Sequence, residues 1–293
     1  MAMPLLYPTI GLTARTEMAE RNDTLCSIID IVSAMGGSIL MDSKRPLIKE
    51  GVSIGSYEST DELDALIVVG GDGTILRAVR EMGVTSVPII SINRGTVGFL
   101  SEIPAQKIAS HLPLLLTGSG MADERRLLHI SAKRGSETLA EGNVLNEAVI
   151  SQGAISRLID LDTSVNGEPL TVFNADGIIL ATPTGSTAYS LSAGGPIVHP
   201  QLAATILTPI NPHSFSQKPI VLPGELSIEV TVKTKENKFR DTQVSLTLDG
   251  QSYVTLKNGD TVQARLSSEC IRFLRCSEDT FFETLRTKLK WGE

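Results

Sequence analysis

Apolar residues recur in two different rhythms along this chain, and one gives way to the other near Ala122. Before that point, short unbroken apolar runs alternate with segments whose apolar positions return every three or four residues. TIGLT at 9–13 is a run of the first kind. Residues 22–35 are of the second, with Leu25, Ile28, Ile29, Val32 and Met35 at helical spacing. The pair predicts a strand followed by a helix. ALIVV at 65–69 then precedes ILRAVREMG, and VPIISIN at 87–93 follows closely. Continuous apolar runs of this length suit strands covered on both faces, and with helices between them they predict a parallel sheet.

After Ala122 the pattern turns to strict alternation punctuated by turn dipeptides. Asn166-Gly167 follows RLIDLDTSV, Asp249-Gly250 follows VSLTL, and Asn258-Gly259 follows YVTLK. Ile228, Val230 and Val232 alternate on one segment, and Val244, Leu246 and Leu248 on another. The mixed charge run KTKENKFRD at 233–241 reads as an exposed hairpin tip. The tail SEDTFFETLRTKLKW predicts a closing helix capped by Ser277, with Phe281, Leu285 and Leu289 on one face. The expected fold is therefore an α/β N-terminal domain with a parallel sheet (1–121), a mostly-β, sandwich-like C-terminal domain (122–276), and a C-terminal helix (277–293) packing back on the first domain.

Composition narrows the class without changing the outline. A chain of 293 residues with 41% hydrophobic and 20% charged residues can bury a full core. Its net charge of -7 argues against a broad surface for nucleic acid. Cys26, Cys270 and Cys276 form no CxxC pair, and an odd count fits a reducing cytoplasm, so they are read as packing residues. The opening residues lack the basic start and apolar stretch of a signal peptide, and no run of about 18 apolar residues occurs. The expectation is a cytoplasmic protein with no membrane and no nucleic acid as partner.

The stretch DALIVVGGDGTIL at 64–76 raises the first chemical question. Ligands bind beyond the carboxyl ends of parallel strands, and 70–74 sits there. Gly70, Gly71 and Gly73 allow close approach, so main-chain N–H groups can face a phosphate, aided by the N-terminus of a helix expected to begin near Thr74. Asp72 is then anomalous, because a carboxylate repels phosphate unless it holds a metal ion or accepts a hydroxyl proton. Both roles belong to phosphoryl transfer. The competing reading is a tight turn with a helix-capping aspartate. Neither GxxxxGK[ST] nor GxGxxG is present here.

A second stretch, 174–200, places an apolar strand before a run of Thr, Ser and Gly. On pattern alone it is a surface turn or a polar binding loop. Taken together, GGDGT at 70–74, NRGTVGFL at 93–100, NEAVIS at 146–151, DGIILATPTGSTAYSLSAGGP at 176–196 and LDGQ at 248–251 resemble the bacterial NAD kinases, in that family's order and over most of the chain. GGDGT by itself also resembles diacylglycerol and sphingosine kinases. The long Thr-Pro-Thr-Gly-Ser-Thr-Ala-Tyr block is far more specific.

The resemblance implies transfer of the ATP γ-phosphate to the 2′-hydroxyl of the adenosine ribose of NAD, giving NADP, in a homodimer or homotetramer with the site between the two domains. Asp72 resembles the catalytic aspartate, with Gly71 and Gly73 beside the substrate and Arg77 facing phosphate. Asn146 and Glu147 resemble the pair that grips the dinucleotide's base and ribose. Asp176, Thr184, Thr187, Ala188, Tyr189, Ser190, Leu191 and Ser192 would line the remainder, with Phe99 as an apolar wall, Gln251 near the rim, and Arg157 and Asn174 as further polar contacts. Mg²⁺ is expected to arrive with ATP, since no carboxylate cluster suggests an all-protein site. Judged as residues alone, Asn146 and Glu147 read as an exposed turn, Phe99 as core, Tyr189 as a hydroxyl satisfied inside the fold and Arg77 as a solvated helix residue. His199 and His213, each beside proline, read as structural. A lipid kinase of the same superfamily and a non-catalytic dinucleotide sensor remain as alternatives.

Overall fold

The computed structural model describes residues 4–15, 23–45, 54–83, 85–95, 98–153, 158–233, 243–276 and 281–290. They form two compact units, one of Met1–Glu124 with Ile271–Glu293 and one of Arg125–Cys270.

The first unit is built on parallel strands. Thr9–Ala14 pairs with Ser38–Asp42 on one side and Ala65–Val69 on the other. Gly55–Tyr57 lies beyond Ser38–Asp42, and Ile89–Asn93 beyond Ala65–Val69. The strand Thr261–Arg275 brings Phe273 opposite Ile89, again in parallel. Every residue of Ala65–Val69 is buried, as the unbroken apolar run requires of a strand covered on both faces. On one face Ile10, Leu12, Ile67, Val69, Ile90 and Ile92 share a core with Leu25, Ile28, Ile29 and Val32 of the helix Asp23–Ala34 and Leu112, Leu115 and Leu116 of the helix Ile108–Leu116. The helix Phe281–Leu289 belongs to this unit and buries Leu285, whereas Leu289 is exposed. Its expected cap, Ser277, lies outside the described residues.

The second unit is antiparallel. Among the described residues one sheet runs in the order Ile220–Pro223, Ala204–Ile210, Gly177–Ala181, Glu147–Gln152, Val244–Leu248, Ser252–Leu256. A second set pairs Glu168–Ala175 with Ile159–Val165, then Ile228–Lys233, then the first half of Thr261–Arg275. Alternate residues of both sets, among them Ile150, Ile178, Leu180, Leu246, Leu161, Val230 and Val262, meet in one core, the sandwich expected from the alternation.

Asn166 and Gly167 both take positive φ, as do Asp249 and Gly250, which matches the hairpin turns their sequences predict. At Asn258-Gly259 only the glycine does. That turn is organised instead by the buried carboxylate of Asp260, which accepts the main-chain N–H of Lys257 at 2.7 Å and a two-pronged contact from Arg134. The charge run expected as a hairpin tip lies, beyond Lys233, outside the described residues.

Candidate active site

In the first unit, Ala65–Val69 runs into Gly70, where an added Cβ would overlap the side chain of Thr74. Gly71 takes the cap position with extended backbone, so the helix Asp72–Met82 starts two residues before the expected Thr74. Asp72 is thus not the cap. Its carboxylate turns away from its own helix and accepts the main-chain N–H of Phe99 at 2.9 Å and of Leu100 at 3.3 Å. At Gly98 a Cβ would overlap that carboxylate. The loop that supplies these donors is itself tied down. Asn93 accepts the N–H of Gly95 at 2.8 Å and donates to Ser101 Oγ at 2.8 Å, and Ser101 Oγ accepts the N–H of Gly98 at 2.7 Å. Asn93 and Ser101 are both buried, and only their tertiary role distinguishes them from ordinary loop residues.

Gly71 and Gly73 differ from Gly70. Neither has positive φ, and a Cβ on either would meet nothing within 4 Å. The fold alone does not ask for glycine at these two positions. They border a cavity of about 500 Å³ lined by Gly70, Thr74, Arg15, Arg77 and Arg94. Open glycines at a helix N-terminus with guanidinium groups around them form a setting for an anion of phosphate type. Arg77 donates from Nη2 to the carbonyl of Ala14 at 2.8 Å, while its Nε is buried without a partner. Burial, and then the charge of Arg45, pull its pKa down. Arg45 bridges Asp42 to Glu81, with 2.8 and 3.0 Å contacts to the latter, and so pins the last turn of Asp72–Met82 to the end of Ser38–Asp42. Phe99 is half-buried.

In the second unit, Asn146 and Glu147 open the strand Glu147–Gln152 and are only 8% and 7% exposed, which corrects their reading as an exposed turn. The cause is Asp249. Its carboxylate accepts the N–H groups of Leu145 and Asn146 at 2.8 Å each and of Glu147 at 3.0 Å. The carbonyls of this segment are used as well, since Thr182 donates its N–H to Asn146 at 2.8 Å and its Oγ1–H to Leu145 at 2.6 Å. Gly185 packs so closely on the Asn146 carbonyl that a Cβ would overlap it. Glu147 accepts the main-chain N–H of Tyr189, but its Oε2 is buried without a partner. Burial, reinforced by the charge of Asp249, pushes the Glu147 carboxyl up to about 7.

The turn Thr184–Thr187 and the short helix Tyr189–Ser192 follow. Thr184 is buried and accepts from Arg125 at 3.4 Å, and Thr187 donates to the Thr184 carbonyl at 3.2 Å. Ser190 is buried and bonds Thr208 at 2.9 Å, so its hydroxyl serves the fold. Ala188 and Leu191 are half-buried and Ser192 exposed. Tyr189 is 46% exposed, so its ring stands at the surface and not inside the fold.

Asp176 and Asn174 stand apart from this group. Ala181 faces Glu147 across the strands, whereas Asp176 accepts the main-chain N–H of Gln152 at 3.0 Å and its Nε2–H at 2.7 Å at the other end, roughly 17 Å along at the usual rise per residue. Asp176 also accepts from Asn211 at 3.0 Å, and Asn174 bonds Asp160 on the neighbouring strand. Gln251 is half-buried in the Asp249 turn, its N–H donating to Leu248 at 2.9 Å. Arg157 lies outside the described residues. Among the described residues no group of three or more His, Cys, Asp or Glu is placed to hold a metal ion.

Residues 52–119 match the model of the ATP-NAD kinase N-terminal domain, and residues 145–276 that of the ATP-NAD kinase C-terminal domain. The chain belongs to the ATP-NAD kinase family. It is 44% identical over 241 residues to an NAD kinase of Citrifermentans bemidjiense, covering 81% of this chain and 82% of that one. It is 36% identical over 292 residues to an NAD kinase of Solibacter usitatus, covering 99% and 100%. Among solved structures it is similar to yeast NADH kinase complexed with NADH, with a TM-score of 0.84 at 26% identity over 99% of this chain and 89% of that one. An NAD kinase of Archaeoglobus fulgidus in complex with ATP shares the fold, with a TM-score of 0.75 at 24% identity over 96% and 98%. Asp72, its glycines, Arg77 and Phe99 fall within the family's N-terminal domain, and Asn146 to Gln251 within its C-terminal domain. Arg15, which lines the cavity, lies outside both matches.

Proposed function

We propose that this protein is an NAD kinase, transferring the γ-phosphate of ATP to the 2′-hydroxyl of the adenosine ribose of NAD to give NADP. The observation that carries the reading is the fixed Asp72 carboxylate at the start of the helix whose glycines and arginines border an anion-sized cavity. In this reading Gly71 and Gly73 admit the triphosphate, and Arg15, Arg77 and Arg94 balance its charge. ATP brings a divalent cation, Mg²⁺ or an equivalent, as part of the substrate, where the ion draws charge from the phosphate oxygens. Asn146, Glu147 and the segment from Thr184 to Ser192 hold the dinucleotide, with Tyr189 offering its exposed ring to a base.

Asp72 orients the 2′-hydroxyl. As the bond from ribose oxygen to γ-phosphorus forms and the bond from γ-phosphorus to the ADP oxygen breaks, Asp72 accepts the hydroxyl proton. A carboxylate is a weak base toward a sugar hydroxyl, but a loose transition state needs the proton removed only late. Positioning therefore supplies most of the catalysis. No observation favours the lipid-kinase or sensor readings. The test is NADP formation by the purified protein from ATP, Mg²⁺ and NAD, read with an NADP-specific dehydrogenase. Absence of NADP would overturn the assignment.

The same reading extends to a cytoplasmic homodimer or homotetramer. Among the described residues no helix is long and apolar enough to cross a membrane. In support of self-association, the strand Ser252–Leu256 ends its sheet with Tyr253 81% exposed, a surface of the kind closed symmetric assemblies cover. Light scattering that gives a stable 31.4 kDa monomer would contradict it.

A further inference from the structure

Asp249 belongs to a turn whose positive φ at Asp249 and Gly250 is explained by hairpin geometry alone. Its carboxylate does something the turn does not need. It reaches a segment more than a hundred residues away in sequence and takes three consecutive main-chain N–H groups, those of Leu145, Asn146 and Glu147. In return Asp249 donates its own N–H to the Glu147 carbonyl at 2.9 Å. With these donors and the two carbonyls held by Thr182 engaged, the main chain of the segment is restrained, and with it the Cα–Cβ directions from which the Asn146 and Glu147 side chains start.

We infer that Asp249 is a positioning residue for the dinucleotide: it fixes the main chain that presents Asn146 and Glu147, and it sets a negative charge beside the buried Glu147. The inference rests on the NAD kinase reading for the identity of the ligand, and on the three main-chain hydrogen bonds of Asp249 for the positioning.

The physical reason lies in what surrounds Glu147. Among the described residues, the turn brings the like charge of Asp249 near it, and the helix Tyr189–Ser192 offers it the main-chain N–H of Tyr189. One donor and a buried, unpartnered Oε2 do not offset burial and repulsion, and the carboxyl sits at about 7. Below that pH Glu147 carries an O–H and can donate to a ligand oxygen. Above it the side chain only accepts. A ribose hydroxyl or base nitrogen therefore meets a different partner on the two sides of neutrality.

Asp249→Asn keeps the size of the side chain and suits the positive φ, but it removes the charge and places an NH₂ against one of the N–H donors. KM for NAD should rise roughly 10-fold or more, at about 1.4 kcal/mol per factor of ten, with KM for ATP within about 2-fold. Carbon-13 NMR titration of the ligand-free protein, with the Glu147 carboxyl assigned through Glu147→Gln, should show a midpoint near 7 that moves down by roughly half a unit or more in Asp249→Asn. The inflection in the pH profile of KM for NAD should move with it and vanish in Glu147→Gln. An unmoved NMR midpoint, or equal losses for both substrates with an unmoved inflection, would overturn the inference. The NMR midpoint is read without turnover, so failure of the kinase assignment would appear separately, as a coupled pair in a protein that forms no NADP.

Discussion

The main-chain N–H of Phe99 donates to the carboxylate of Asp72 at 2.9 Å, and that of Leu100 reinforces it at 3.3 Å. The aspartate that begins the helix Asp72–Met82 is thus aimed by a loop far from it in sequence. Asp72→Asn keeps one acceptor for Phe99, so the fold should survive with a nearly unchanged melting temperature. Turnover should fall by roughly 10²-fold or more, the upper range for loss of a general base. Steady-state kinetics beside a thermal melt checks both halves, and near-normal kcat would remove Asp72 from the mechanism.

Glycines near the cavity separate into two kinds. At Gly73 the space for a Cβ is open, so Gly73→Ala should leave stability equal or higher by up to about 1 kcal/mol, as expected for alanine in a helix, while KM for ATP rises. At Gly98 the space is taken by Asp72. Gly98→Ala should displace that carboxylate and lower kcat, with KM for ATP moving little. Identical profiles for the two variants would contradict the distinction.

Tyr189 stands nearly half exposed, so Tyr189→Ala should shift stability by no more than about 0.5 kcal/mol. Stacking of a base on an aromatic ring is worth about 1 to 3 kcal/mol in nucleic-acid sites. On that scale KM for NAD should rise roughly 5- to 100-fold, with KM for ATP moving much less. A loss confined to ATP would show that the two substrates have been assigned to the wrong halves.

In the first unit Arg275 donates to Glu102 at 2.9 Å and also bridges Asp123, with all three side chains largely buried. Arg275→Ala leaves two carboxylates without their cation and should lower stability by about 3 to 5 kcal/mol in urea denaturation. Burial already raises the Glu102 pKa against the pull of Arg275, and the variant raises it further. A raised carboxyl pKa means the folded state binds the proton more readily than the unfolded one. The gap between variant and wild type should therefore narrow on going from about pH 8 to about pH 5. A gap that widens in acid would refute this account.

Features set by neighbouring residues were legible in the sequence. The run Ala65–Val69 announced a doubly covered strand, Asn166-Gly167 a hairpin, and a carboxylate set among glycines marked Asp72 as unusual. What escaped was set by contacts over long separations. Asp249-Gly250 is complete as a turn signal, and nothing beside it in sequence tells that the same carboxylate holds Leu145 to Glu147. The burial of Asn146 and Glu147 follows from that contact, so two polar residues between strands looked exposed. Ser101 and Arg45 act in the same way, through partners that only the fold brings near. The helix start was misplaced by two residues because Gly71, which has no side chain to signal a cap, occupies that position.

The first unit is completed by residues from the far end of the chain, for Phe273 lies buried opposite Ile89 and Leu285 is buried with it in that unit. The second unit is drawn from the single stretch Arg125–Cys270. During synthesis every residue of the second unit is therefore made before the first has its last strand. A released chain ending just short of Ile271 holds every strand of the sandwich while Ile89 still lacks Phe273 opposite it, so the second unit can mature before the first.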